Sequence, residues 1–189
     1  MKAETRKDQI IQTSAILFKE KGYSAVTMRD IAKAMGIKAA SLYNHIASKQ
    51  EILSDIIISL AEEFTEGMNA IMHADENAIS KIKQIVQLHV YITSNNQFGM
   101  ASLNNDWMHL EDKLEYYLSL RKNYEDNFRQ IINKGIADNE LINANSGVML
   151  FSLLSTLRSL YIWLPEKEDL EVKDFAEELS EILIGGINT

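Results

Sequence analysis

The sequence predicts an all-α protein of about nine helices, in which three short N-terminal helices are joined by a long fourth helix to a larger helical body. Helix breakers are sparse: the 189 residues hold one proline, Pro165, and eight glycines. Residues that lose little on entering a helix (Ala, Leu, Ile, Glu, Lys) are frequent. Apolar residues make up 46% of the chain, enough for a real core, which excludes a disordered polymer.

The first helix is predicted from about Thr5 to Lys21, with Ile10, Ile11, Ser14, Leu17 and Phe18 on its buried side and Gly22 where a helix commonly ends. Thr27-Met28-Arg29-Asp30 reads as a capping box flanked by a Val26/Ile31 hydrophobic staple. That second helix is short because Gly36 stops it after Ala34 or Met35. Ile37 turns the chain into a third helix, about Lys38 to His45. A second box, Ser48-Lys49-Gln50-Glu51, opens the fourth helix, whose stripe runs through Ile52, Ile56, Leu60, Phe64 and Met68. Beyond it, helices are expected at about 76–95, 98–110, 112–137, 146–164 and 168–185, punctuated by Asn95-Asn96, Asn104-Asn105, Asp138-Asn139 and Asn143-Ala144-Asn145. The division expected is a head, 1–48, and a body, 49–189, with no flexible tether between them.

The same reading excludes several functions. There is no cysteine, hence no disulfide, thiolate metal site or cysteine nucleophile. His45 has no second histidine at ligand spacing, so no metal is expected, and nothing calls for a cofactor. Glu-x-x-His pairs, a Gly-rich phosphate loop and a Gly-x-Ser-x-Gly elbow are all missing, which argues against an enzyme. The charged N-terminus lacks a signal-peptide apolar run, and no stretch of about 18 apolar residues occurs; a cytoplasmic protein that does not enter the membrane is expected.

Charge is unevenly spread. Residues 1–52 carry nine Lys/Arg against five Asp/Glu, net +4, and the remainder carries 10 against 22, net −12, within an overall −8. A basic head on an acidic body still attracts phosphates, because the attraction falls off over a Debye length of ~8–10 Å. Three short helices in about fifty residues, the last two separated by Ala-Met-Gly-Ile, form a helix-turn-helix pattern, with Ala32 and Ile37 the small and apolar residues at the crossing.

Within residues 22–53, Thr27, Ile31-Ala32, Gly36-Ile37, Leu42-Tyr43, His45, Lys49 and Leu53 fall at the spacing of the tetracycline-repressor family, which this segment closely resembles. Ile46 and Ala40 depart from the family's usual phenylalanine and glycine or proline. The resemblance implies a ligand-responsive regulator, a repressor by family habit, acting as a homodimer on a palindromic double-stranded DNA operator. Lys38, Ala39, Ser41 and Asn44 would meet base edges, and Arg29 a base or a phosphate. Thr27, Tyr43, His45 and Lys49 would hold phosphates. Lys49 stands at a helix N-terminus, where the macrodipole disfavours a cation unless an anion shares the site; a lysine reaching into water is the alternative. An adaptor that binds protein rather than DNA is the rival function.

In the body, Val148, Met149, Phe151, Leu153, Leu154, Leu157, Leu160 and Tyr161 cover more than one face of their helix, which therefore needs more than one neighbour. With the stripe Phe175, Leu179, Ile182 and Leu183, the resemblance implies a four-helix dimer interface containing Phe151, Leu154, Tyr161, Phe175, Leu179, Ile182 and Leu183. Residues 116–136 and Trp163-Leu164-Pro165 resemble, more loosely, the family's repressors of lipid and steroid breakdown, some of which respond to coenzyme A thioesters. Candidates for lining an effector pocket are His89, Trp107, Tyr117, Arg121, Tyr124, Arg158 and Trp163, with Arg121 or Arg158 set to pair with an anionic group. A core histidine at His89 is an equally open reading; the helical spacing of Tyr117, Tyr124 and Phe128 favours core packing, and Arg121 and Glu125 are spaced for an intrahelical pair.

Overall fold

The structure is a computed structural model that describes residues 5–167 and 171–188. Among these, nine α-helices follow in order: α1 (Arg6–Lys21), α2 (Met28–Ala34), α3 (Ala39–Leu42), α4 (Lys49–His73), α5 (Ala78–Asn95), α6 (Gln97–Asn105), α7 (Leu114–Ala137), α8 (Ser146–Trp163) and α9 (Val172–Gly185). Short 3-10 turns occupy Tyr23–Ala25, Trp107–His109, Glu111–Lys113 and Leu164–Glu166. No helix among the described residues is long and apolar enough to cross a membrane.

The chain forms two compact units. One runs to Ala61 and takes in Asn96–Tyr117; the other holds Glu62–Asn95 and the described residues from Leu118 onward. The unit carrying the head therefore extends past Ser48 and adds a distant segment, because α6 packs along α1. In the second unit, α5 packs against both α8 and α9, and its Ile82, Ile85, Val86, Val90 and Ile92 are fully buried. Gly67 lets α4 approach α5: a Cβ there would lie 2.6 Å from the Leu88 methyls.

Boundaries match sequence expectation where capping chemistry marks them. Thr5 caps α1 through a reciprocal box with Asp8, and Thr27 caps α2 through one with Asp30. The turn after α2 is a Schellman motif: Gly36, at φ +66°, donates to the Lys33 carbonyl, and Ile37 donates to the Ala32 carbonyl. Two expected helices are shorter than predicted. After Leu42 the bonds tighten to three-residue spacing, Asn44 to Ser41 and His45 to Leu42, so the third helix is one α-turn prolonged by turns. The span expected at 98–110 ends at Asn105 and continues as the 3-10 turn Trp107–His109. Residues 168–170, the expected start of the last helix, lie outside the described residues.

Candidate nucleic-acid interface and effector site

The helix-turn-helix presents its predicted DNA-facing residues together. Thr27 and Arg29 at the start of α2, and Lys38, Ser41, Tyr43, Asn44 and His45 along and just after α3, are all exposed, with Ala39 half-buried between them. Their elements are fixed from beneath by Val26, Ile31, Ala32, Leu42 and Ile46, all buried. Tyr43 is 53% exposed, so about half of the residue is open to solvent. Thr27 is already engaged: its hydroxyl donates to Asp30 Oδ2 at 2.6 Å and accepts from the Asp30 amide. The Thr27 hydroxyl and amide bonds hold the Asp30 carboxyl below its ordinary range.

Lys49 requires a correction. Its ammonium turns inward, donating to the carbonyls of Tyr23 and Val26 at 2.8 Å each, and lies 4.2 Å from the centre of the Tyr23 ring. Burial lowers its pKa. A cation is tolerated at this N-terminus because two backbone carbonyls and an aromatic face receive it, which replaces the need for an external phosphate. The Ser48 box is also altered: Ser48 Oγ accepts from the Glu51 amide, but the Glu51 carboxylate reaches the amide of Ala47 and the ammonium of Lys7.

Sequence reasoning missed the hub beside Lys49. The Tyr23 hydroxyl donates to Gln50 Oε1 at 2.7 Å, Gln50 Nε2 donates to the His109 carbonyl at 2.5 Å, and the Tyr23 and His109 rings stack with centroids 5.2 Å apart. Gln50 and His109 are 59 residues apart, a pairing that no local pattern in the sequence marks.

The seven pocket candidates divide. Trp107 and Tyr117 stack on each other, centroids 6.0 Å apart, in the unit that holds the head. In the other unit, His89 Nε2 meets the Tyr124 hydroxyl at 2.9 Å, and the Phe64 ring lies against both rings. Both His89 and Tyr124 are buried. Burial, with a smaller contribution from the nearby Arg158 charge, pushes the His89 pKa down to about 3, and burial pushes the Tyr124 hydroxyl up. Glu125 receives Arg158 Nη2 at 2.6 Å and Arg121 Nε at 3.2 Å. Burial opposes ionisation of Glu125, yet the two arginines hold its carboxyl below the usual range. The intrahelical reading of Arg121 thus holds, and both guanidiniums already face a carboxylate. Trp163 is elsewhere, stacked on Phe175 with centroids 5.2 Å apart, at a groove of about 540 Å³ shared with Ser155, Thr156, Ser159 and Leu179.

The dimer candidates divide as well. Phe151 and Ile182 are each 73% exposed, Tyr161, Leu179 and Leu183 are half-buried, and Leu154 and Phe175 are buried within the single chain. Leu154 is therefore core here: its side of α8 also carries Leu150, Leu153 and Leu157. The solvent side of α8 carries Val148, Phe151, Ile162 and Trp163, all exposed.

Comparison with known proteins accords with this geometry. The family described as bacterial regulatory proteins, tetR family, matches residues 10–56, and the tetracyclin repressor-like C-terminal domain matches residues 75–187. The chain belongs to the tetracycline-repressor family. It is similar to the HTH-type transcriptional repressor KstR2 of Rhodococcus jostii (strain RHA1), 20% identical over 96% of this chain and 91% of that one. Over 46 residues, 24% of this chain and 25% of the relative, it is 54% identical to IcaR of Staphylococcus aureus, a negative regulator of the biofilm operon icaADBC. Its fold matches the ketosteroid transcriptional regulator KstR2 of Mycobacterium tuberculosis, with a TM-score of 0.92, 19% identity and coverage of 100% and 97%. The chain is a helix-turn-helix transcriptional regulator and not an enzyme, of a family whose members bind operator DNA as dimers.

Proposed function

We propose that this protein is a cytoplasmic repressor that grips a palindromic operator as a homodimer and is released by a small hydrophobic or thioester-bearing effector. The observation that carries the DNA half is the set of exposed polar and basic side chains on two short helices locked by the Schellman turn at Gly36. Lys38, Ser41 and Asn44 read bases, with Ala39 against a thymine methyl. Arg29 reaches a base or a phosphate, and Thr27, Tyr43 and His45 set the register on the backbone.

A single short recognition helix makes few base contacts, so such heads work in pairs about one DNA turn apart, ~34–36 Å. The exposed apolar residues of α8 and Ile182 of α9 supply the pairing surface. For release, the effector enters the second unit, where His89, Tyr124 and Phe64 meet. Phe64 belongs to α4, the same helix that begins at Lys49 and Gln50 in the head's unit; displacement of α4 would change the spacing of the two heads. Tenfold release needs about 1.4 kcal/mol of differential affinity between the two states. The test is calorimetric: a compound that binds must weaken operator binding at saturation, and one that binds without doing so is not the effector.

A further inference from the structure

In the unit that holds Glu62–Asn95 and the described residues from Leu118 onward, a cleft of about 350 Å³ opens between α4 and α7. Four side-chain carboxamides line it: Asn69 from α4, and Asn123, Asn127 and Gln130 from α7. The three on α7 are spaced four and three residues apart, so they stand on one face of that helix. Asn69, Asn123 and Gln130 are exposed, and Asn127 is half-buried. The floor is apolar: Met68 and Tyr124 are both buried, and the Tyr124 hydroxyl is committed to His89 Nε2 at 2.9 Å.

The choice of asparagine here runs against the helix. Asn123 and Asn127 lie well inside α7, where asparagine is a poor helix former because its side chain competes for backbone groups. Elsewhere a bond within the chain offsets such a choice. Asn145 accepts from the amides of Gly147 and Val148 at the start of α8, and Asn104 donates to the Met100 carbonyl. Among the described residues, none of the four carboxamides in the cleft bonds another group of the chain. Local preferences broken without an internal gain concentrate at functional sites.

The donor set selects the ligand chemistry. Among the described residues no lysine, arginine or histidine lines the cleft, and its one carboxylate, Asp126, is already paired with Lys122. Phosphates, carboxylates and cations therefore find no opposite charge free to meet them. A carboxamide both donates and accepts, as a hydroxyl does, so the two match group for group. The C–H face of a small ring has Met68 and Tyr124 to rest on. The volume stands at the small end of the range for ligand pockets, ~300–1,000 Å³. We infer that this cleft binds a small uncharged polyhydroxylated ligand, of monosaccharide size, which bridges α4 to α7. The site is additional to the effector reading above and does not rest on it, since a hydrophobic or thioester-bearing compound makes poor use of four carboxamides.

Nitrogen–proton correlation NMR of the side-chain amides tests this on the full-length protein, titrated separately with D-glucose, D-galactose and D-mannose. At least one sugar should shift the Asn69, Asn123, Asn127 and Gln130 signals saturably, with a Kd below about 10 mM. No saturable shift with any of the three, or shifts confined to other residues, overturns the inference. Cyclohexanol, a ring of similar size with one hydroxyl, should bind at least tenfold more weakly; equal or tighter binding overturns it by making the cleft an apolar site. Asn123→Ala combined with Asn127→Ala should raise Tm by about 3–5 °C, because alanine is the better helix former, and should weaken sugar binding at least tenfold. A raised Tm with unchanged affinity makes these carboxamides a solvated face and overturns the inference. An unchanged or lowered Tm means that they hold the fold, which overturns it as well.

Discussion

Lys49 and Tyr23 are joined twice: the lysine ammonium donates to the tyrosine carbonyl at 2.8 Å and lies 4.2 Å from the centre of its ring. A residue placed by the family pattern on the DNA backbone thus serves as a staple between the start of α4 and the segment before α2. Lys49→Met, which keeps the stem and deletes the charge, should lower stability by about 2 kcal/mol, since it removes the donor of the Val26 carbonyl and leaves the Tyr23 carbonyl only the Val26 amide. The salt dependence of operator binding should keep its slope. A slope reduced by about 1 with stability unchanged would restore Lys49 as a phosphate contact.

Lys38 and Asn44 are exposed at the front of the reading head. Each should discriminate bases, so Lys38→Ala or Asn44→Ala should cost about 1–3 kcal/mol on the cognate site and much less on scrambled DNA. Fluorescence anisotropy against both duplexes at fixed salt measures this. An equal loss on every sequence makes the residue a phosphate contact.

His89 sets a pH dependence. Its folded pKa, about 3, lies below the ordinary histidine value near 6.5. Between these values the unfolded chain binds the proton and the folded protein does not. Stability is therefore full above about pH 6.5 and falls on acidification by up to about 1.4 kcal/mol per pH unit from this group. In denaturant titrations from pH 7 to pH 5, His89→Phe should show a shallower decline than wild type. Parallel declines would mean that the proton goes elsewhere.

Phe151 and Ile182 are each 73% exposed, and burying a large apolar side chain contributes about 1.5–3 kcal/mol. Phe151→Glu with Ile182→Glu should convert the protein to a folded monomer in sedimentation velocity, at the 21.5 kDa chain mass rather than twice that. Leu154→Ala should instead destabilise by about 2–5 kcal/mol, as a buried core leucine. A dimer that survives both glutamates places the interface on another surface.

Much of this architecture was legible in the sequence because short-range chemistry marks it. Thr27 with Asp30, and Gly36 with Ile37, specify the second helix and its exit through bonds spanning three to five residues. The third helix is shorter than its pattern predicts, since Asn44 and His45 sit in turns bonded at three-residue spacing. What escaped was long-range. Nothing near Gln50 announces His109, and nothing near Lys49 announces the inward carbonyls of Tyr23 and Val26. Residue type, the only mark the pocket candidates carry in the sequence, does not separate Trp107 and Tyr117 in one unit from His89 and Tyr124 in the other. The apolar stripe of α8 likewise did not tell buried Leu154 from exposed Phe151.

The most direct test of the central claim is footprinting of the protein on DNA upstream of its own gene. A dimeric reading head should protect a sequence-dependent, two-fold symmetric site with half-sites about one helical turn apart, and the protection should weaken steeply as salt rises. Protection that is absent, or that covers all sequences alike at physiological salt, would contradict operator recognition by the Lys38–Asn44 face.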